Sequence, residues 1–86
     1  MEKITYTVTD PNGIHARPAG LIVQTAKQYP CRTTMSCGER SADCKKLFGI
    51  MQMGVRAGDC ITITADGEGC ESALRELERT LWDAGL

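Results

Sequence analysis

Residues 3–10, KITYTVTD, alternate without a break, with Ile4, Tyr6 and Val8 on one side and Thr5, Thr7 and Thr9 on the other. A period of two over that length marks a half-buried strand. Asp10-Pro11-Asn12-Gly13 then supplies turn residues, and the period changes. Ala19, Ile22, Val23, Ala26 and Tyr29 recur at helical spacing, which predicts a helix with one buried face beginning close to His15 or Ala16. Pro18 falls in its first turn, where a missing N–H does no harm, and Pro30 is expected to stop it. Alternation returns in CRTTMSC, residues 31–37, where Thr33, Met35 and Cys37 are set against Arg32, Thr34 and Ser36. Gly38-Glu39 makes a tight turn into a short third strand around Arg40 to Ala42.

The next segment, KKLFGIMQMG, is short and helical and ends at Gly54. Leu47, Phe48, Ile50, Met51 and Met53 are too many apolar residues for one buried face, so some of them are expected at the surface. Ala57-Gly58-Asp59 turns into a fourth strand, CITITAD, and the chain finishes in an amphipathic helix with Cys70, Leu74, Leu77, Leu81 and Ala84 inward and Glu71 near its positive end. The order β-α-β-β-α-β-α predicts an α/β (α+β) fold. It would be a two-layer open-faced sandwich, a four-stranded and mainly antiparallel sheet with its helices on one face. Eighty-six residues make one domain, 1–86.

Composition removes several classes of function. No apolar run is long enough to cross a bilayer, and the first ten residues lack the basic-then-apolar order of a signal peptide, so a cytoplasmic protein is expected. The five cysteines are an odd number and show neither C-x-x-C nor metal-site spacing, so they are expected as free, small apolar residues rather than as disulfides or zinc ligands. Residues 1–56 carry eight Lys/Arg against four Asp/Glu, and residues 57–86 carry two against seven. A nucleic-acid binder would be basic overall and richer in stacking aromatics, so nucleic acid is not an expected partner. The basic part suits an acidic protein surface instead.

His15 is the single histidine and sits where a helix begins, two residues before Arg17. Unpaired N–H groups and the positive end of the helix dipole meet there, a ready site for phosphate. A guanidinium grips phosphate oxygens, and an imidazole is nucleophilic at neutral pH without a strong base beside it. The arrangement suits a phosphoryl group carried on nitrogen. The position alone leaves an ordinary cap or surface histidine open beside that reading.

The motif Gly13-Ile14-His15-Ala16-Arg17-Pro18-Ala19 resembles the HPr family, the histidine-containing phosphocarriers of the bacterial phosphoenolpyruvate:sugar phosphotransferase system. The resemblance continues through LFGIMQMGVRAGDCITITADG and the last helix, and so covers essentially the whole chain. It implies that His15 takes a phosphoryl group at Nδ1 from phospho-Enzyme I and passes it to an enzyme IIA-type domain, with Arg17 stabilising the phosphate. It implies a carrier rather than an enzyme with turnover, a monomer without cofactor, metal or membrane insertion, working in sugar uptake. The alternative is an HPr-like regulatory protein, or a nitrogen-branch phosphorelay, not dedicated to sugar transport. The implied docking surface comprises Ala16, Pro18, Gly20, Gln24, Lys27, Lys45, Lys46, Leu47, Phe48 and Met51. Its basic rim would surround an apolar centre.

This chain departs from the family at one regulatory point. Many members carry a kinase-phosphorylated serine where Lys46 stands here, and without a hydroxyl that control is expected to be absent. Gly20, inside the predicted helix, lies on the implied docking face, and two readings stand for it: close approach of a partner, or drift with no role.

Overall fold

A computed structural model describes residues 2–86. Seven elements follow in order: β1 (Glu2–Thr7), α1 (Ala16–Ala26), β2 (Arg32–Cys37), β3 (Arg40–Asp43), α2 (Leu47–Gln52), β4 (Cys60–Asp66) and α3 (Cys70–Asp83). The sheet order is β1-β4-β2-β3, and all three pairings are antiparallel. Ile63 is central to the register, opposite Ile4 on one side and Met35 on the other.

The alternation seen in the sequence becomes two faces. Thr33, Met35, Cys37, Ile61, Ile63 and Ala65 are buried, whereas Thr34, Ser36, Thr62 and Thr64 on the opposite face are half-exposed. The helices cover the buried face, with Ile22 and Ala26 from α1, Ile50 from α2 and Leu74, Leu77 and Leu81 from α3 completing the core. Ala73 joins them as a position outside the expected stripe. This is the open-faced sandwich that the element order implied. Truncating any one of the large buried side chains would cost about 2–5 kcal/mol.

Several boundaries differ from expectation. β1 stops at Thr7 rather than residue 10, although Val8 is fully buried and its N–H still bonds to Asp59 O at 2.9 Å. α1 ends at Ala26, well before Pro30. The N–H groups of Gln28 and Tyr29 bond to Thr25 O and Ala26 O, three residues back, so the last turn tightens as the chain nears a proline that disfavours helical geometry in the residue before it. β3 extends one residue further, to Asp43.

The end of α3 explains Gly85-Leu86. Gly85 takes a left-handed φ of 75°, its N–H bonds to Trp82 O, and the Leu86 N–H bonds to Leu81 O. That pair of bonds is a Schellman cap, and it folds the Leu86 side chain fully into the core. The Leu86 carbonyl then accepts bonds from the Thr9 and Asp10 N–H groups and from Thr9 Oγ1. In this way α3 holds the segment leading to His15.

All five cysteines are free. Cys31, Cys37 and Cys44 are buried, Cys70 is half-buried and Cys60 is exposed. Burial pushes the Cys44 thiol up to about 12. The fold therefore favours the neutral thiol, and its contribution is complete below the unfolded thiol value of about 8.5 and is lost as pH rises from there toward the folded value. The urea midpoint is expected to fall across that alkaline range, and to fall less steeply in Cys44→Ala. A thiol reagent at pH 8 should label Cys60 first and reach Cys31, Cys37 and Cys44 only on unfolding.

Two glycines make a second test. Gly13 has φ +63°, and a Cβ there would lie 2.1 Å from Val55 O. Gly20 is helical, and a Cβ there would meet nothing within 4 Å. Gly20→Ala should raise stability by up to about 1 kcal/mol. Gly13→Ala should lower it by more than that and disturb the signals of residues 13–17 in NMR spectra.

Candidate functional site

His15 is the N-cap residue of α1, in extended backbone, and its side chain makes no capping bond. The ring is therefore free to face outward, and the side chain is 43% exposed. Its carbonyl receives the Ala19 N–H at 3.0 Å. Pro18, at the third helical position, has no N–H to satisfy. Neither the Ala16 nor the Arg17 N–H has an acceptor among the described residues, so the first turn presents two unpaired donors beside the ring. No acidic residue occupies that turn to neutralise its partial positive charge.

Gly13 and Ile14 aim this start of the helix. Gly13 N–H closes a turn onto Asp10 O at 2.8 Å, and Ile14 N–H bonds to Val55 O at 3.2 Å. The chain thus passes against the loop that follows α2, with Ile14 and Val55 both in the core.

The turn before the helix contributes a residue that pattern reasoning took only as a turn former. The Asn12 N–H donates to Asp10 Oδ1 at 2.9 Å, and Asp10 Oδ2 lies 3.3 Å from His15 Nε2. The Asn12 N–H, and after it the His15 contact, hold the Asp10 carboxyl below its ordinary value. Asp10, His15, Arg17, Pro18 and Leu21 line one open hollow together with Asp83 and Ala84 from the end of α3. Leu21 is exposed and out of phase with the buried stripe of α1, a signal that was legible in the sequence. Asp83 and Ala84 are distant in sequence, and only the fold brings them here.

The surplus of apolar residues in α2 and its C-cap divides between core and surface, as expected. Ile50 and Met53 are buried, Leu47 is half-buried against the core, and Phe48 and Met51 are 75% and 38% exposed. Leu47 and Phe48 share a hollow with Lys27, Lys45 and Lys46. The Lys45 ammonium donates to Tyr29 O at 2.8 Å, tying the end of α1 to the start of α2, so it is a structural pin as well as a surface charge. Gln24 lines a different hollow, with Leu21, Thr25, Gln28 and the end of α3. Gly20 is half-buried and Ala16 exposed, both on α1. Among the described residues no three His, Cys, Asp or Glu side chains gather into a metal-binding group.

Comparison with known proteins gives this geometry a family. The family model described as the PTS HPr component phosphorylation site matches residues 2–82. The chain belongs to the HPr family. It is 31% identical over 86 residues to the phosphocarrier protein HPr of Mycoplasma capricolum, covering 100% of this chain and 97% of that one. A solved mycoplasma histidine-containing phosphocarrier protein superposes with a TM-score of 0.97 at 30% identity, over 99% of this chain and 97% of the other. A multiphosphoryl transfer protein of Xanthomonas campestris is 38% identical over 80 residues, which is 93% of this chain but only 10% of that protein. This HPr-family chain therefore spans about a tenth of that relative's length.

Lys46 is the N-cap residue of α2 and offers no oxygen to the first turn. Lys46→Ser would supply one, so it should stabilise the chain by about 0.5–1 kcal/mol in urea unfolding. The same variant, offered to an HPr serine kinase with ATP, should gain a phosphoryl group that the parent chain does not take.

Proposed function

We propose that this phosphocarrier accepts a phosphoryl group on His15 from phospho-Enzyme I and passes it to an enzyme IIA-type domain, in phosphoenolpyruvate-dependent sugar uptake. The observation that carries the reading is the exposed imidazole placed at the end of a helix whose first two N–H groups have no acceptor among the described residues, with Arg17 lining the same hollow. Asp10 occupies the Nε2 side of the ring, which leaves Nδ1 as the nucleophile. In the transfer the Nδ1 lone pair attacks phosphorus, the nitrogen–phosphorus bond of the donor breaks, and its electron pair returns to the donor imidazole. The Ala16 and Arg17 N–H groups and the Arg17 guanidinium take the phosphoryl oxygens, stabilising charge that the helix dipole also favours. Nothing is consumed in the protein. It is a substrate in one step and a donor in the next.

Both partners would dock over the hollow around His15 and the apolar patch at Leu47, Phe48 and Met51, with Lys27, Lys45 and Lys46 as its basic rim. Exposed Phe48 is the natural anchor, since aromatic side chains set in a polar rim carry much of an interface's energy.

Incubation with Enzyme I, magnesium and phosphoenolpyruvate should add one acid-labile phosphoryl group, seen by intact mass under mildly alkaline conditions and absent in His15→Ala. Arg17→Ala should slow the transfer by about 10²-fold. Phe48→Ala should raise KM for the chain as a substrate of Enzyme I by about tenfold, with kcat little changed. If a folded chain stays unmodified beside the Enzyme I of its own organism, the phosphocarrier reading fails.

A further inference from the structure

One charged group beside His15 is used neither in gripping phosphate nor in docking. Asp10 is held at both ends. Its Oδ1 accepts the Asn12 N–H at 2.9 Å, and its own N–H is tied to Leu86 O at 3.1 Å. Its free oxygen, Oδ2, is thereby brought to 3.3 Å from His15 Nε2. Hydrogen bonds at reactive groups often tighten only once the reacting group is bound.

We propose that Asp10 is a positioning residue for the transfer, one whose carboxylate holds the proton on His15 Nε2 both before and after Nδ1 is phosphorylated. The proposal rests on the phosphocarrier reading above. In the free chain an acceptor at Nε2 selects the tautomer with its proton there, so the lone pair is on Nδ1. When Nδ1 bonds to phosphorus the ring becomes cationic, and the carboxylate faces that charge. On donation the acceptor nitrogen attacks phosphorus, the Nδ1–P bond breaks, and its electron pair returns to Nδ1. With the Nε2 proton in place the leaving group is a neutral imidazole. Without it the leaving group would be an imidazolate, which is far poorer. A carboxylate that orients an imidazole through its second nitrogen is a general device at reactive and metal-bound histidines.

The other charged groups facing the same hollow are Arg17 from α1 and Asp83 from α3. The Arg17 guanidinium cannot accept a proton. Asp83 pairs with Arg79 at 3.6 Å along the helix. Asp10 is the carboxylate with a contact to the ring. Its lowered acidity range keeps it ionised through neutral pH, so it acts as an acceptor wherever the transfer runs.

Two variants separate geometry from charge. Asp10→Asn keeps an oxygen able to accept from Nε2 but removes the charge, and Asp10→Ala removes both. The ring tautomer is read from two-bond proton–nitrogen NMR spectra of the unphosphorylated chain at pH 8. His15 is then phosphorylated with phosphoramidate, which needs no partner protein, and loss of the group to water is followed by phosphorus NMR from pH 6 to 10. The parent chain should show the Nε2–H tautomer almost alone, and Asp10→Ala a mixture. Loss from Asp10→Asn should match the parent at pH 6 and fall to about a third to a tenth of it at pH 9, because the uncharged partner holds the proton less well. A purely structural role for Asp10 would change the rate equally at every pH and disturb the amide signals of α1, and that result overturns the proposal. So do parent-like tautomers with a parallel rate profile in both variants, or a label found on Nε2. Failure of the phosphocarrier reading itself is distinguishable. Enzyme I would then transfer nothing, while phosphoramidate would still label Nδ1 and the tautomer spectra would still report on Asp10.

Discussion

The site depends on a close approach between two stretches of backbone. Gly13 runs so near Val55 that no side chain fits between them, and the neighbouring Ile14 N–H bonds to the same Val55 carbonyl. That contact fixes where the chain enters α1, and the direction of entry decides where His15 points. A residue with a Cβ at position 13 would have to move the chain by an ångström or more, and the ring, its two neighbouring N–H groups and Arg17 would move with it. Very little else aims the ring, because His15 caps nothing with its side chain. The other fixed point is Asp10, which the last residue of the core holds from behind.

From this entry point the surface is organised by what the core does not take up. α2 is only six residues long, and Ile50 with neighbouring Met53 supplies its share of the interior. Phe48 and Met51 then remain outside at a cost in hydration that packing does not recover. Arg40 closes the far end of the same helix. Its guanidinium donates to the Met53 and Gly54 carbonyls and to Cys37 Sγ, and lies 3.8 Å from Asp59. Lys45 pins the near end to Tyr29. An exposed aromatic side chain held on a helix fastened at both ends suits an anchor that meets its partner without rearranging.

The strands were legible because a period of two has a single physical cause, one wet and one dry face, and here the dry face is unbroken from Thr33 to Cys37 and from Ile61 to Ala65. His15 and Arg17 were legible because a cap position and a guanidinium have meaning within a few residues. The end of α1 was not, because Pro30 marks only where a helix cannot continue, whereas the three-residue bonds after Ala26 decide where it stops. Asp10 was missed because its turn role and its contact with the ring use different oxygens, and only the first is visible as a local pattern. Gln24 shows the converse. Its placement rested on resemblance, and it lines a hollow shared with α3 rather than with α2.

The bond between Thr9 Oγ1 and Leu86 O joins residues 77 apart in the chain. Thr9 sits beside the reactive turn, while Leu86 reaches it only after the α3 cap has formed and its side chain has entered the core. Completion of the turn before His15 therefore depends on closing a loop between residues 77 apart. A copy in which the end of α3 has come loose would carry His15 on a turn that has lost this support from behind.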